Sequence, residues 1–190
     1  AGRHDGIRRQ TVSELSCTPT LDGLLSFEAA VERLVGAARP IAESETVGLR
    51  HGLGRVVSTP VVSAIDVPGW DYSAMDGYAV RGADCDRAGT ELPVSQRVPA
   101  GADPQPLAPG SAARIFTGAP IPPGADTVVM QEVCTARDDA VRIDAAITPG
   151  ANIRRRGEDI EADSEVIAPG TLLQPQHLGL AASVGIAELG

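Results

Sequence analysis

Residues Ile65-Asp66-Val67-Pro68-Gly69-Trp70-Asp71-Tyr72-Ser73-Ala74-Met75-Asp76-Gly77-Tyr78-Ala79-Val80 decide how the rest of the chain reads. A β-branched run, Val61, Val62 and Ile65, leads in, and a strand-like run, Tyr78-Ala79-Val80, leads out. Between them Pro68-Gly69 predicts a sharp change of direction, because proline presets its own φ and glycine accepts φ values that other residues avoid. Three carboxylates, Asp66, Asp71 and Asp76, fall in this short connection, so a stiff acidic loop is expected between two strands. Spacing alone leaves two readings of it open. Either Asp71, Ser73, Asp76 and the backbone near Gly77 aim oxygens and N–H groups at a hard cation or polar ligand, or the aspartates bond their own turn amides.

Upstream, Ser26 and Glu28 open a helical pattern with Phe27, Ala30, Val31, Leu34 and Val35 on one face, stopped by Pro40. Residues 1–25 are polar and lack sustained periodicity, which predicts a flexible N-terminal extension. Short strands are expected at Glu45–Leu49, Arg55–Ser58 and Val61–Ser63, and downstream at Pro93–Val98, Ala113–Thr117 and Thr127–Gln131. Val133–Ala136 and Ala140–Asp144 form a hairpin pattern around Arg137-Asp138-Asp139. Pro175 opens a second helix that runs to Gly185. Pro-Gly pairs at 68, 109, 123, 149 and 169 punctuate the chain with turns, and the absence of βαβ alternation disfavours a parallel doubly wound sheet.

Sixteen basic residues against 25 acidic ones give a net charge of −9, which argues against nucleic acid or an anionic membrane as partner. No apolar run approaches the roughly 20 residues that span a bilayer. Cys17, Cys85 and Cys134 are odd in number and widely spaced, so reduced thiols and a cytoplasmic location are expected. His4, His51 and His177 show no ligand spacing, which disfavours a structural zinc site. The chain begins at Ala1 and ends at Gly190 just past an apolar stretch, and is expected to be a fragment.

Arg154-Arg155-Arg156 stands out in so acidic a chain. Three guanidiniums beside Gly157, with the Asn152 amide, suit a phosphate; but Glu158, Asp159 and Glu161 follow at once, and by spacing alone a solvated ion-pair patch is the better reading. Thr117 by itself reads as a strand-end cap.

Three stretches, in order, resemble the molybdopterin molybdenumtransferase family, related to the C-terminal part of gephyrin. They are Asp66 to Val80; Arg114-Ile115-Phe116-Thr117-Gly118-Ala119-Pro120 with Ala125 to Glu132; and Asn152-Ile153-Arg154-Arg155-Arg156-Gly157-Glu158-Asp159-Ile160. Trp70 and Tyr72 replace the family's usual Phe and Asn. The resemblance implies insertion of molybdenum from molybdate into adenylylated molybdopterin with Mg²⁺. It also implies a homodimer supplied by a molybdopterin-adenylyltransferase. It carries catalytic roles onto Asp76, Thr117 and Asp159, metal ligation onto Asp76 and Asp159, and ligand binding onto Ser73, Arg154, Arg155 and Arg156. Trp70, at a position where the family keeps an aromatic, is expected to plug a core. The expected fold is α+β, with mostly short twisted antiparallel strands in two intertwined lobes and a few helices. Residues 26–65 with 145–175 form an outer lobe, 66–144 an inserted β-rich lobe, and 176–190 the start of a missing α/β molybdopterin-binding domain. A chain without that domain is expected not to turn over. The alternative is a dimeric scaffold of the gephyrin type that binds a protein partner without catalysis.

Overall fold

A computed structural model of the chain describes residues 24–39 and 41–190, so the expected N-terminal extension lies outside the described residues but for Leu24 and Leu25. The chain divides into two units, Ala1–Glu43 and Ser44–Gly190. In the first, helix α1 (Phe27–Ala37) starts where the sequence predicts: the Ser26 side chain accepts from the Ala29 N–H at 3.1 Å, and Glu28 sits in the first turn.

The second unit is built from twelve short strands and one helix. In chain order these are β1 (Val47–Gly48), β2 (Val61–Val62), β3 (Tyr72–Ser73), β4 (Gly77–Val80), β5 (Thr90–Val98), β6 (Ala112–Ile115), β7 (Thr127–Met130), β8 (Cys134–Ala136), β9 (Ala140–Ile143), β10 (Ile153–Arg154), β11 (Glu165–Ile167), helix α2 (Pro175–Ser183) and β12 (Glu188–Leu189). Six of the strands form one sheet in the order β7-β4-β6-β5-β9-β8. Its outermost strands, β7 and β8, are separated in sequence only by Gln131–Val133. Six flat strands would place those edges about 24 Å apart, whereas the four Cα steps from Met130 to Cys134 reach at most about 14 Å. The sheet must therefore curl on itself.

Period-two alternation sorts its side chains onto two faces. Tyr78, Val80, Leu92, Ala112, Val129, Val141 and Ile143 fill one core, and Ala79, Val98, Ala113, Ile115 and Val128 the other. All pairings are antiparallel except β5 with β6. That parallel pair departs from the expected pattern. Its return connection, residues 99–111, contains no helix and is instead pinned by the Gln96 amide, which donates to Gln105 O at 2.7 Å and accepts from Gln105 N at 3.1 Å. Pro93 is tolerated in β5 because it precedes the first β6 partner, Val94.

A second body zips residues 47–63 against the C-terminal third. β1 pairs with β12, β2 with β11, and Val56 bridges Leu172. Val57, Val61, Ile167, Leu173, Ala181 and Leu189 form its core. Residues 176–190, expected to begin a further domain, thus supply α2 and β12 to this body. Pro175 occupies the first turn of α2, and Gln174 and His177 complete a capping box.

Trp70 departs from its expected place. It is 62% exposed at the outer tip of the acidic loop, because the carboxylates on either side of it anchor inward and leave the tip outside.

Gly77 marks the tightest approach in the sheet. A Cβ there would lie 1.9 Å from Val129 O and 2.9 Å from Val129 C, both backbone atoms of the neighbouring strand. Gly77→Ala is expected to force β4 from β7 and cost about 3 kcal/mol or more. A urea midpoint equal to that of the parent chain would contradict this.

Candidate functional site

The acidic loop and the arginine-rich loop meet edge to edge. β3 pairs with β10, Ser73 opposite Ile153 and Tyr72 opposite Arg154, and Ala74 N donates to Asn152 O at 2.9 Å. Val67 exchanges backbone hydrogen bonds with Ile160, and Gly157 N donates to Pro68 O. The turn after β6 docks on the same strand: Gly118 N donates to Ser73 O and Ser73 N to Ala119 O. The three stretches singled out in the sequence therefore form one contiguous surface.

Of the two readings left open for the carboxylates, the own-turn one gives way: each aspartate bonds partners far along the chain. Asp66 accepts from Ala162 N at 2.8 Å and from Arg156 Nε. Asp71 accepts from Arg156 N at 2.8 Å and from Arg155 Nη1 at 2.7 Å. Asp76 Oδ1 accepts from both the backbone N and the hydroxyl of Thr117, each at 2.8 Å. The physical cause is the same throughout, since an ionised carboxylate is stabilised by N–H and O–H donors aimed at it. Backbone bonds lead each time: Ala162 then Arg156 hold Asp66 below the ordinary aspartate value, Arg156 N then Arg155 do so for Asp71, and Thr117 does so for Asp76.

Arg154 completes the charge pairing. Its Nη2 donates to Asp159 Oδ1 at 2.6 Å and its Nε, shut off from solvent, lies 2.9 Å from Glu158 Oε1 outside hydrogen-bonding geometry. Asp159 and Glu158 raise the Arg154 pKa still further above its usual value. Each guanidinium of Arg154, Arg155 and Arg156 thus already faces a carboxylate. Asn152, read as a ligand amide, has left-handed backbone (φ 58) and donates to Val128 O, which makes it a structural clamp on β7. Ser73 is fully buried and its hydroxyl donates to Met75 O, so its side chain builds the turn. Thr117 and Asp159 are both exposed, on different loops.

The donor set sets limits on a metal. Among the described residues no three His, Cys, Asp or Glu side chains converge on one point. Asp76 Oδ2 and Asp159 Oδ2 take no hydrogen bond there. Single free carboxylate oxygens fit Mg²⁺, which keeps waters or phosphate oxygens and takes one or two protein carboxylates, and do not fit a closed cage.

Sequence reasoning missed Arg114. Arg114 donates to Gly77 O at 2.8 Å and Gln131 Oε1 at 2.6 Å, next to Asp76 and Thr117. Its position inside the second motif was the available signal. Cys85 and Cys134 are free thiols, and burial pushes both up to about 11, which leaves them protonated and unreactive at neutral pH.

Residues 25–185 match the family model described as the MoeA N-terminal region (domain I and II). The chain is 43% identical over 167 residues to molybdopterin molybdenumtransferase 2 of Mycobacterium tuberculosis, covering 85% of this chain and 40% of that protein. It is 40% identical over 174 residues to molybdopterin molybdenumtransferase of Synechococcus elongatus, covering 87% and 43%. Its fold is similar to the crystal structure of a molybdopterin biosynthesis moeA protein from Pyrococcus horikoshii OT3, with a TM-score of 0.77 at 34% identity, covering 85% of this chain and 44% of that one. The chain spans less than half the length of these relatives.

The depressed carboxylates make an acid prediction. Lowered below the ordinary 3.8, they favour the folded state above that value, and their contribution is lost as pH falls through the native values. Urea midpoints are expected to be level between about pH 7 and about 5 and to drop below about 4. The double variant Asp66→Asn, Asp71→Asn should start lower and drop less; an unchanged acid limb would refute the assignment.

Proposed function

This chain belongs to the family of the MoeA N-terminal region, and on that premise we propose that it forms part of a molybdopterin molybdenumtransferase acting in molybdenum cofactor biosynthesis. The substrates are molybdate and adenylylated molybdopterin, delivered by a molybdopterin-adenylyltransferase to a cytoplasmic homodimer. The observation that carries the reading is the meeting of the three motif stretches on one surface, with Asp76 locked to Thr117 and Asp159 to Arg154.

In this reading each residue has a task. Thr117 commits its hydroxyl proton to Asp76, so it meets a ligand as an acceptor and suits a ligand N–H. Arg154 fixes one oxygen of Asp159 and leaves the other for a cation. Asp76 and Asp159 would hold Mg²⁺, which would supply positive charge to phosphate oxygens. Arg155 and Arg156 position the acidic loop through Asp71 and Asp66, and both arginine side chains remain exposed.

Since the chain covers about 40% of its relatives, the 190 residues by themselves are proposed to carry part of the site and not to turn over. The test is release of AMP and cofactor from adenylylated molybdopterin, dependent on molybdate and Mg²⁺, by the longer protein that contains this chain. Asp159→Ala is expected to lower the rate about 100-fold while the fold persists, as loss of a metal-site group commonly does. Equal turnover by the variant would remove Asp159 from the site. A parent protein that is a folded dimer yet inactive would put a gephyrin-type scaffold in place of the enzyme, and molybdenum insertion by the isolated chain would overturn the partial-site proposal.

A further inference from the structure

Arg114 is half-buried in β6, opposite Tyr78 of β4 and Arg97 of β5 in the sheet register. Its side chain donates only to neutral acceptors among the described residues: Nη1 to Gly77 O at 2.8 Å and Ile115 O at 3.3 Å, and Nη2 to Gln131 Oε1 at 2.6 Å. Its guanidinium carbon lies 4.6 Å from the centroid of Phe116 and 5.2 Å from that of Tyr78. Drawing a cation partly out of water for neutral partners is unfavourable, and an apolar side chain would brace a sheet with less desolvation. Two of the acceptors, however, adjoin Asp76. Gly77 is the next residue, and Gln131 donates its own backbone N–H to Asp76 O at 3.0 Å. A ring therefore closes from Asp76 through Gln131 to Arg114 and back through Gly77. Three residues along the chain from Arg114, Thr117 grips Asp76 Oδ1 with both its N–H and its hydroxyl. Arg154 bonds Asp159 directly and takes one of its oxygens; Arg114 takes none from Asp76 and ends instead on the groups around it.

A guanidinium is planar, so the angle between its two donors is fixed, and one side chain sets Gly77 and Gln131 about Asp76. We infer that Arg114 is a positioning residue for the Asp76–Thr117 pair, its fork holding the main chain so that Asp76 Oδ1 stays on Thr117 and Oδ2 stays free. The inference rests on the reading of Asp76 and Thr117 as site residues. It adds that Arg114 governs turnover without touching substrate or metal. A lysine at this position keeps the charge but cannot make both bonds at a fixed angle, which separates the fork from the charge.

The experiment reads amide hydrogen exchange on the 190-residue chain and turnover on the longer protein that contains it. In Arg114→Lys the Thr117 and Gln131 amides are expected to lose about tenfold in protection, the effect of one hydrogen bond to a charged group, while the β5–β9 ladder changes only as global stability does. AMP release should fall about tenfold in kcat with KM within about twofold of the parent value. Gln131→Met removes an acceptor and leaves the cation; it should reproduce both effects in milder form, and it decides the matter if Arg114→Lys does not fold. Arg97→Gln removes the other cation stacked on Phe116, outside the ring of bonds, and should leave both readouts at parent values. Loss of protection spread evenly over Thr117, Gln131 and the β5–β9 ladder would make Arg114 a sheet brace and overturn the inference. So would an unchanged kcat in a variant whose Thr117 protection has fallen. A longer protein that releases no AMP from the outset would instead sink the transferase reading, and the exchange comparison would still decide whether the fork holds Asp76 to Thr117.

Discussion

Two carboxylates reaching across the chain hold this surface together. Asp66 and Asp71 take backbone N–H groups of Ala162 and Arg156 together with the guanidiniums of Arg156 and Arg155, partners 84 to 96 residues away. Exposed ion pairs are each worth little. The pairing matters less as stored energy than as geometry: a carboxylate with two oxygens set between a main-chain amide and a side chain fixes the angle between two loops as well as their distance. Without it, β3 and β10 are strands of two residues each, too short to define a register.

Stability comes from elsewhere. The curled sheet buries Ile115, Val128, Val141 and Ile143 almost completely, and β3 is tied to it through Ala119 and Gly118. The surface therefore rests on a rigid body while its own residues remain polar and partly exposed. Two kinds of positive charge result: arginines 154 to 156 each face a carboxylate, whereas Arg97 and Arg114 stack on Phe116, Arg114 also donating to Gly77 O and Gln131 Oε1.

Much of this was legible in the sequence wherever the signal is local. Ser26 with Glu28 marks the start of α1, Pro175 that of α2, and the apolar runs around Arg137-Asp138-Asp139 give β8 and β9. Pro-Gly pairs announce turns, and Gly110, Gly124, Gly150 and Gly170 all take positive φ there. Partnership over long separations was not legible. Nothing in the spacing of Asp71 says that it bonds Arg155 instead of its own turn, or that Gln96 pins a helix-free connection between parallel strands. The exposure of Trp70 follows from the same gap, since residue type favours burial and only the distant anchors of Asp66 and Asp71 push the tip outward. Resemblance gathered the three motifs; it did not reveal that Ser73 and Asn152 spend their side chains on the backbone, or that Arg97 belongs beside Arg114.

The connectivity also orders events in time. β3 and β10 flank the whole six-stranded sheet in sequence, so their pairing closes a loop that contains every strand from β4 to β9. Closing so long a loop through an unfolded chain is entropically unfavourable and slow, but closing it across a finished sheet is not, because folding of the interior has already brought the ends together. On loop-closure grounds the pairing of β3 with β10 is expected to follow completion of the sheet. The surface therefore depends on the sheet beneath it: a change that opens the sheet also parts the two loops that meet across its ends.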